Sequence, residues 1–371
     1  RLAKEVILGV GGVRMLRALG LNQIERFHMN EGHAALLAAE LLREHMLSHG
    51  KSEVDAEAIS AVRDQCVFTT HTPVPSGHDR FSQDQIRAVI EEQAALERSG
   101  LFEHEGMLNL TYTGLNLSRY VNGVAKRHGE VSRHMFGSYT IDAITNGVHA
   151  ATWAGDPMAR VFDEHIPGWR ADAFNLRYAA GIPLEVINSA HRQAKHDLLD
   201  RIKQHTATSW DPHVLTLGYA RRATAYKRPT LLFTDIDRLE QIAAHHGAIN
   251  LVFAGKAHPD DHAGKCLIQE IVRLAKRMPQ HLRLVYLPDY GVELARQLVS
   301  GVDIWLNTPR PPLEASGTSG MKAALNGVPS LSTPDGWWLE GCIEGITGWS
   351  VGAAYQGMEP DPDDRDDAES L

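Results

Sequence analysis

A chain of 371 residues, 43% hydrophobic and 22% charged, is long enough for two domains with separate cores. Its formal net charge of −9 argues against a nucleic-acid partner and does not obstruct a neutral one. No apolar run is long enough to span a bilayer, nothing reads as a signal peptide, and Cys66, Cys266 and Cys342 lie too far apart for a ligand set, so reduced thiols in a cytoplasmic protein are expected.

The chain opens at Arg1 inside an amphipathic helical run and closes in an acidic stretch, Glu359 to Glu369, so both ends look cut and an internal piece of a longer polypeptide is expected. Ile24–Met29 and Cys66–Thr70 are predicted buried strands, followed by helical patterns at 32–48 and 83–98. A long helix is predicted over 114–135, a short strand over Tyr139–Ile144, and a polar helix over 187–205. Beyond it the pattern is cleaner. Strands Val214–Tyr219, Ile249–Ala254, Leu282–Leu287 and Asp303–Leu306 alternate with helices at 229–246, 262–278 and 291–300. Strands separated by helices of this length imply a parallel, Rossmann-like sheet with right-handed crossovers. The expected division is 1–205 and 206–371.

Residues 314–327 read Glu-Ala-Ser-Gly-Thr-Ser-Gly-Met-Lys-Ala-Ala-Leu-Asn-Gly. An acid, hydroxyls and two glycines feed a helical pattern with Lys322 in its first turn. A helix N-terminus offers unpaired N–H groups and the positive end of a dipole, a seat for a phosphate. A lysine there suits a phosphate-binding cation or a Schiff-base lysine. The spacing is not that of a P-loop. A second run, 218–228, places Arg221, Arg222, Lys227 and Arg228 at a predicted strand C-terminus, where such sheets bind anions.

The 314–327 run resembles the lysine segment that carries pyridoxal 5′-phosphate (PLP) in the glycogen/starch (α-glucan) phosphorylases, and 218–228 resembles a second signature of that family. Thr69-Thr-His-Thr-Pro, Asn30-Glu-Gly-His and Asn146-Gly-Val-His-Ala-Ala-Thr-Trp resemble further blocks, so the resemblance runs along essentially the whole chain, closest to the compact bacterial-type enzymes. It implies two Rossmann-like domains facing a cleft (the B-type glycosyltransferase architecture), with the N-terminal one incomplete here. It also implies reversible, retaining phosphorolysis of α-1,4-glucan to α-glucose 1-phosphate, with PLP as cofactor and its 5′-phosphate as proton relay. By matching position Lys322 would carry PLP; Thr318, Ser319, Gly320, Arg221, Trp153 and Tyr290 would surround it. Arg222 and Lys227 would hold the substrate phosphate, and Glu314, Ser316, Gly317, Asn146, His71 and His33 the sugar. Glu31 stands where an aspartate is commoner, and Arg221 where many relatives have lysine. Partners would be glucan, phosphate and glucose 1-phosphate, with no nucleic acid, no membrane and a possible homodimer. The piece alone would be inactive.

Two other readings fit parts of the sequence. A glucosyltransferase of the glycogen-synthase type shares the fold but has no use for Lys322; a non-catalytic glucan-binding fragment is a third possibility. Gly9-Val-Gly-Gly lacks a third fingerprint glycine, and His258 with His262 reads as a solvated helix start rather than half a metal site. Asn122-Gly-Val-Ala with His128 reads as structural. Trp337-Trp338 fits sugar stacking and a buried aromatic pair equally.

Overall fold

The computed structural model describes residues 1–74, 77–89, 100–360 and 363–371, in two units, Arg1–Thr145 and Asn146–Leu371. The division falls well before the boundary expected near 205. The reason is the helix Leu184–Thr206, whose Leu198, Leu199 and Ile202 share a core with Leu294, Leu298 and Val302 and so belong with the second unit.

The first unit begins with a helical run from Leu2 to Ala18, wound as a π-helix over Ile7–Gly11. A Cβ on Gly9 would lie 2.6 Å from the Leu37 backbone nitrogen, so this glycine serves close packing on the helix Leu36–Ser48, not nucleotide binding. Its strands are β1 (Phe27–Asn30), β2 (Cys66–Thr69), β3 (Arg80–Phe81), β4 (Glu103–His104), β5 (Met107–Asn109), β6 (Tyr120–Gly123) and β7 (Asp142–Ala143). β1, β2, β6 and β7 form a parallel sheet in that order; β3, β5 and β4 form a small antiparallel one. Met29, Leu42, Cys66, Phe68 and Leu110 fill the core. The single helix predicted over 114–135 is instead a helix Leu110–Asn116, strand β6 and a helix Lys126–Met135. Tyr-Val-Asn-Gly has no apolar run of its own and becomes a strand because it pairs with β2, Val67 opposite Tyr120. The Asn122 segment is thus a strand end. Of the helix predicted over 83–98, Gln83–Arg87 is helical behind a Ser82–Gln85 capping box, and 90–98 lies outside the described residues.

The second unit holds β8 (Leu215–Arg222), β9 (Ile249–Lys256), β10 (Leu282–Leu287), β11 (Ile304–Asn307), β12 (Ser330–Ser332) and β13 (Gly348–Ser350), all parallel. The spatial order is β10-β9-β8-β11-β12-β13. Counted from β8 this is 3-2-1-4-5-6, the doubly wound order. β9 shows why: Leu251 and Phe253 pack in the core on one face, Val252 and Ala254 on the other, as a strand covered by helices on both sides requires. Strands β12 and β13, too short to announce themselves, were not predicted. A further core of Ala150, Met158, Phe162, Ile166 and Trp169 joins the turn Ala150–Trp153 and the helix Asp156–His165 to the second unit.

Candidate active site

In a doubly wound sheet the crossovers run opposite ways from the first and fourth strands, which opens a crevice at their C-terminal ends. Here those strands are the adjacent β8 and β11. β8 ends at Arg221 and Arg222, β11 ends at Asn307, and the two signature loops follow directly.

Arg221 donates from Nη1 to Glu314 Oε2 at 3.1 Å, and from Nη2 to Asn307 Oδ1 and to Ser319 Oγ at 3.3 Å. Asn307 is in turn held by donating to Ser332 Oγ at 2.8 Å. Lys227 Nζ donates to the same Glu314 Oε2. The loop bearing Lys227 is pinned through its carbonyl, which accepts from Tyr219 Oη at 2.9 Å. Glu314 N–H donates to Asp335 Oδ2 at 2.7 Å, and Gly336 N–H to Asp335 Oδ1 at 2.8 Å. Burial pushes the Lys227 ammonium down to about 8, and the Arg221 charge adds to that shift against the pull of Glu314. Burial raises Glu314, but Lys227 and Arg221 outweigh it and hold the carboxyl below its usual range. Asp335, buried and facing Glu314, rises to about 7.

Beyond Glu314 the chain turns through Gly317, whose φ of +87° no β-carbon tolerates well, into the helix Thr318–Leu325. Lys322 lies in the second turn of that helix rather than the first. Its ammonium sits 3.7 Å from the centroid of the Trp153 ring, burial lowers its pKa, and it has no anionic partner among the described residues. Asn326 fixes the pair: its side chain donates to Trp153 O at 2.9 Å and Lys322 O at 2.8 Å, and accepts from Gly155 N at 2.7 Å. A Cβ on Gly155 would lie 2.8 Å from Ser300, so the close approach needs glycine there.

The structure therefore brings together Arg221, Lys227, Glu314 and Ser319, and separately Lys322 with Trp153. Ser316 joins the first set by position; its Oγ is buried and has no hydrogen-bond partner among the described residues. Thr318 and Gly320 lie in the first turn of the lysine helix. Tyr290, half-buried, donates weakly to Ala220 O on β8 at 3.4 Å. Asn146 opens the second unit, half-buried. Arg222 is exposed and makes no ion pair among the described residues. Arg228 leaves the expected cation cluster. It is buried, donates to Thr308 O at 2.9 Å and Pro309 O at 2.8 Å, and pairs with Asp364 and Asp367. Its task is to hold the loop.

In the first unit His71 and His33 follow the C-terminal ends of β2 and β1. Glu31, at φ +75°, accepts from His71 N–H at 2.7 Å and Thr72 Oγ1 at 2.9 Å, so it shapes the histidine loop. The His71 ring contacts Asn30 Oδ1; burial lowers its pKa and Glu31 partly restores it. His33 is exposed.

Sequence reasoning missed Asn307, Asn326 and Asp335, polar residues whose hydrogen bonds run to the candidate site residues Arg221, Trp153, Lys322 and Glu314. Burial is their signal, which a sequence does not print. It also left Trp337 undecided: the ring lies 3.2 Å from a Cβ built on Gly320, so it lines the lysine loop, while Trp338 is buried.

Residues 76–344 match the carbohydrate phosphorylase family. The whole chain is 38% identical to a glycogen phosphorylase of Mycobacterium tuberculosis and 37% identical to a maltodextrin phosphorylase of Thermococcus litoralis, covering 48% of each. A glycogen phosphorylase of Aquifex aeolicus is 37% identical across 95% of the chain and 56% of its own length. The chain thus spans about half the length of the curated relatives it matches, and with its parallel sheets, its Lys322 loop and its buried cations it belongs to the carbohydrate phosphorylase family.

Proposed function

We propose that the intact protein catalyses reversible phosphorolysis of an α-1,4-glucan to glucose 1-phosphate, with PLP held on Lys322. The observation that carries the reading is Lys322 itself: a half-buried amine with a lowered pKa, no acidic partner among the described residues and an aromatic face beneath it. A surface lysine would be solvated, and a structural buried one would be paired. An amine kept partly dry and unpaired is what imine chemistry with an aldehyde needs.

The residues present fit that cofactor. Lys322 would bind its aldehyde, Trp153 and Tyr290 would flank its ring, and Arg221, Ser319, Gly320 and Thr318 would meet its phosphate. When bound, PLP supplies a phosphate group able to exchange a proton with a neighbouring phosphate. The protein's share is electrostatic. Arg222 and Lys227 would hold the substrate phosphate against the repulsion of a second anion. Glu314, Ser316, Gly317 and Asn146 would orient the terminal sugar, Ser316 through the buried hydroxyl that lacks a partner among the described residues. His71 and His33 are proposed as glucan contacts on their motif match.

The test is an assay of the intact gene product on maltodextrin. Release of glucose 1-phosphate that depends on inorganic phosphate supports the reading. Release of free glucose without phosphate, or no release from PLP-loaded protein, contradicts it.

A further inference from the structure

We infer that Glu314 is an internal anion that occupies the phosphate clamp until substrate arrives, so that anion and sugar bind in a coupled manner. The inference rests on the phosphorylase reading and adds to it a coupling between the two ligands. One carboxylate oxygen, Glu314 Oε2, accepts from both Lys227 and Arg221. The side chains of Glu314, Arg221 and Lys227 are 8%, 8% and 11% exposed. The other side-chain partners of Arg221, Asn307 and Ser319, are neutral. The residue matched to the sugar and the cation matched to the phosphate are thus each other's partners.

Buried charges need a counter-charge or a full set of hydrogen bonds. A substrate phosphate that takes Lys227 leaves the Glu314 carboxylate buried and short of a donor. Its backbone is held in place by Asp335, so it cannot swing far into water. Neutral sugar hydroxyls are suitable replacement donors, and the unpartnered Ser316 Oγ lies two residues along the same loop. In the other direction, a sugar that donates to Glu314 loosens its hold on Lys227 and leaves that cation free for an anion. Each ligand therefore removes the penalty that the other would meet alone. Thermodynamic reciprocity requires the two enhancements to be equal.

Glu314→Gln separates this role from simple sugar contact. A glutamine is nearly isosteric but cannot neutralise the cations. Lys227 would then bind phosphate more tightly without sugar, and sugar would add little.

The experiment is equilibrium binding of inorganic phosphate to the PLP-loaded intact gene product by calorimetry, with and without saturating 1,5-anhydroglucitol. This glucose analogue has no anomeric oxygen, so it can neither turn over nor crowd the anion. The expected result in the wild type is tighter phosphate binding with the sugar analogue, by about fivefold or more, the lower end of ordinary coupling between sites. In Glu314→Gln, phosphate alone should bind more tightly than in the wild type, and the enhancement should fall to about onefold. Phosphate affinity in the wild type that is unchanged or weakened by the sugar overturns the inference and leaves the phosphorylase reading standing. Binding of neither ligand to the wild type overturns both. The wild-type measurement decides even if the variant does not fold.

Discussion

Lys322 and Trp153 meet at 3.7 Å, ammonium over indole, and the buried amide of Asn326 ties the backbones of both together. The two residues come from segments far apart in sequence. Their contact depends on one side chain satisfying three backbone groups at once.

Asn326→Ala removes all three hydrogen bonds and leaves Gly155 N–H and Trp153 C=O unpaired in a buried place. The expected cost is about 2–3 kcal/mol of stability, measured by urea denaturation. The turn carrying Trp153 should also loosen, with a red shift of tryptophan emission and weaker retention of PLP on dialysis. Unchanged stability and unchanged retention would show that the turn is held by its apolar core alone.

Asp335 gives a pH-dependent prediction. Its carboxyl rises from 3.8 to about 7 through burial and the facing Glu314. Between those values the folded protein keeps a proton that the unfolded chain has released. This group's contribution therefore falls as pH rises through that window and is lowest above it. Asp335→Asn cannot ionise. Its melting temperature relative to wild type should be more favourable at pH 8 than at pH 5, by the equivalent of about 2 kcal/mol. A difference that is flat or reversed between the two pH values would contradict the assignment. Any fixed cost of turning an amide N–H toward a backbone N–H cancels in that comparison.

Arg222 and Arg228, counted together by sequence, should separate in the laboratory. Arg222 is exposed and unpaired among the described residues, so Arg222→Ala should leave stability within about 0.5 kcal/mol. It should lower kcat/KM for phosphate by about thirtyfold or more, as loss of a charge contact worth about 2 kcal/mol implies. Arg228→Ala should do the reverse at first. It removes the donor to Thr308 O, one of two donors to Pro309 O, and a cation from Asp364 and Asp367, and should cost about 2–4 kcal/mol of stability. Equal effects of the two variants on stability would contradict the division of labour.

The sheet of the second unit was legible because its long strands carry apolar runs, and β9 and β10 start where the runs start. β6 was read as helix because its four residues gain strand character only from pairing with β2. The candidate residues on the signature loops could be named because those loops resemble family motifs. Asn307, Asn326 and Asp335 were not, because a polar residue reveals a positioning role only through burial and partners. The pairing of Glu314 with Lys227 was also invisible, since each was read for a different ligand and no spacing rule joins residues in separate loops.

PLP attachment is tested most directly at Lys322. Borohydride reduction of the PLP-loaded intact gene product, followed by peptide mapping, should find the pyridoxyl label on the peptide containing Lys322. Lys322→Ala should fold and take up no label. A label on another lysine, or none on the wild-type protein, would contradict PLP attachment at Lys322.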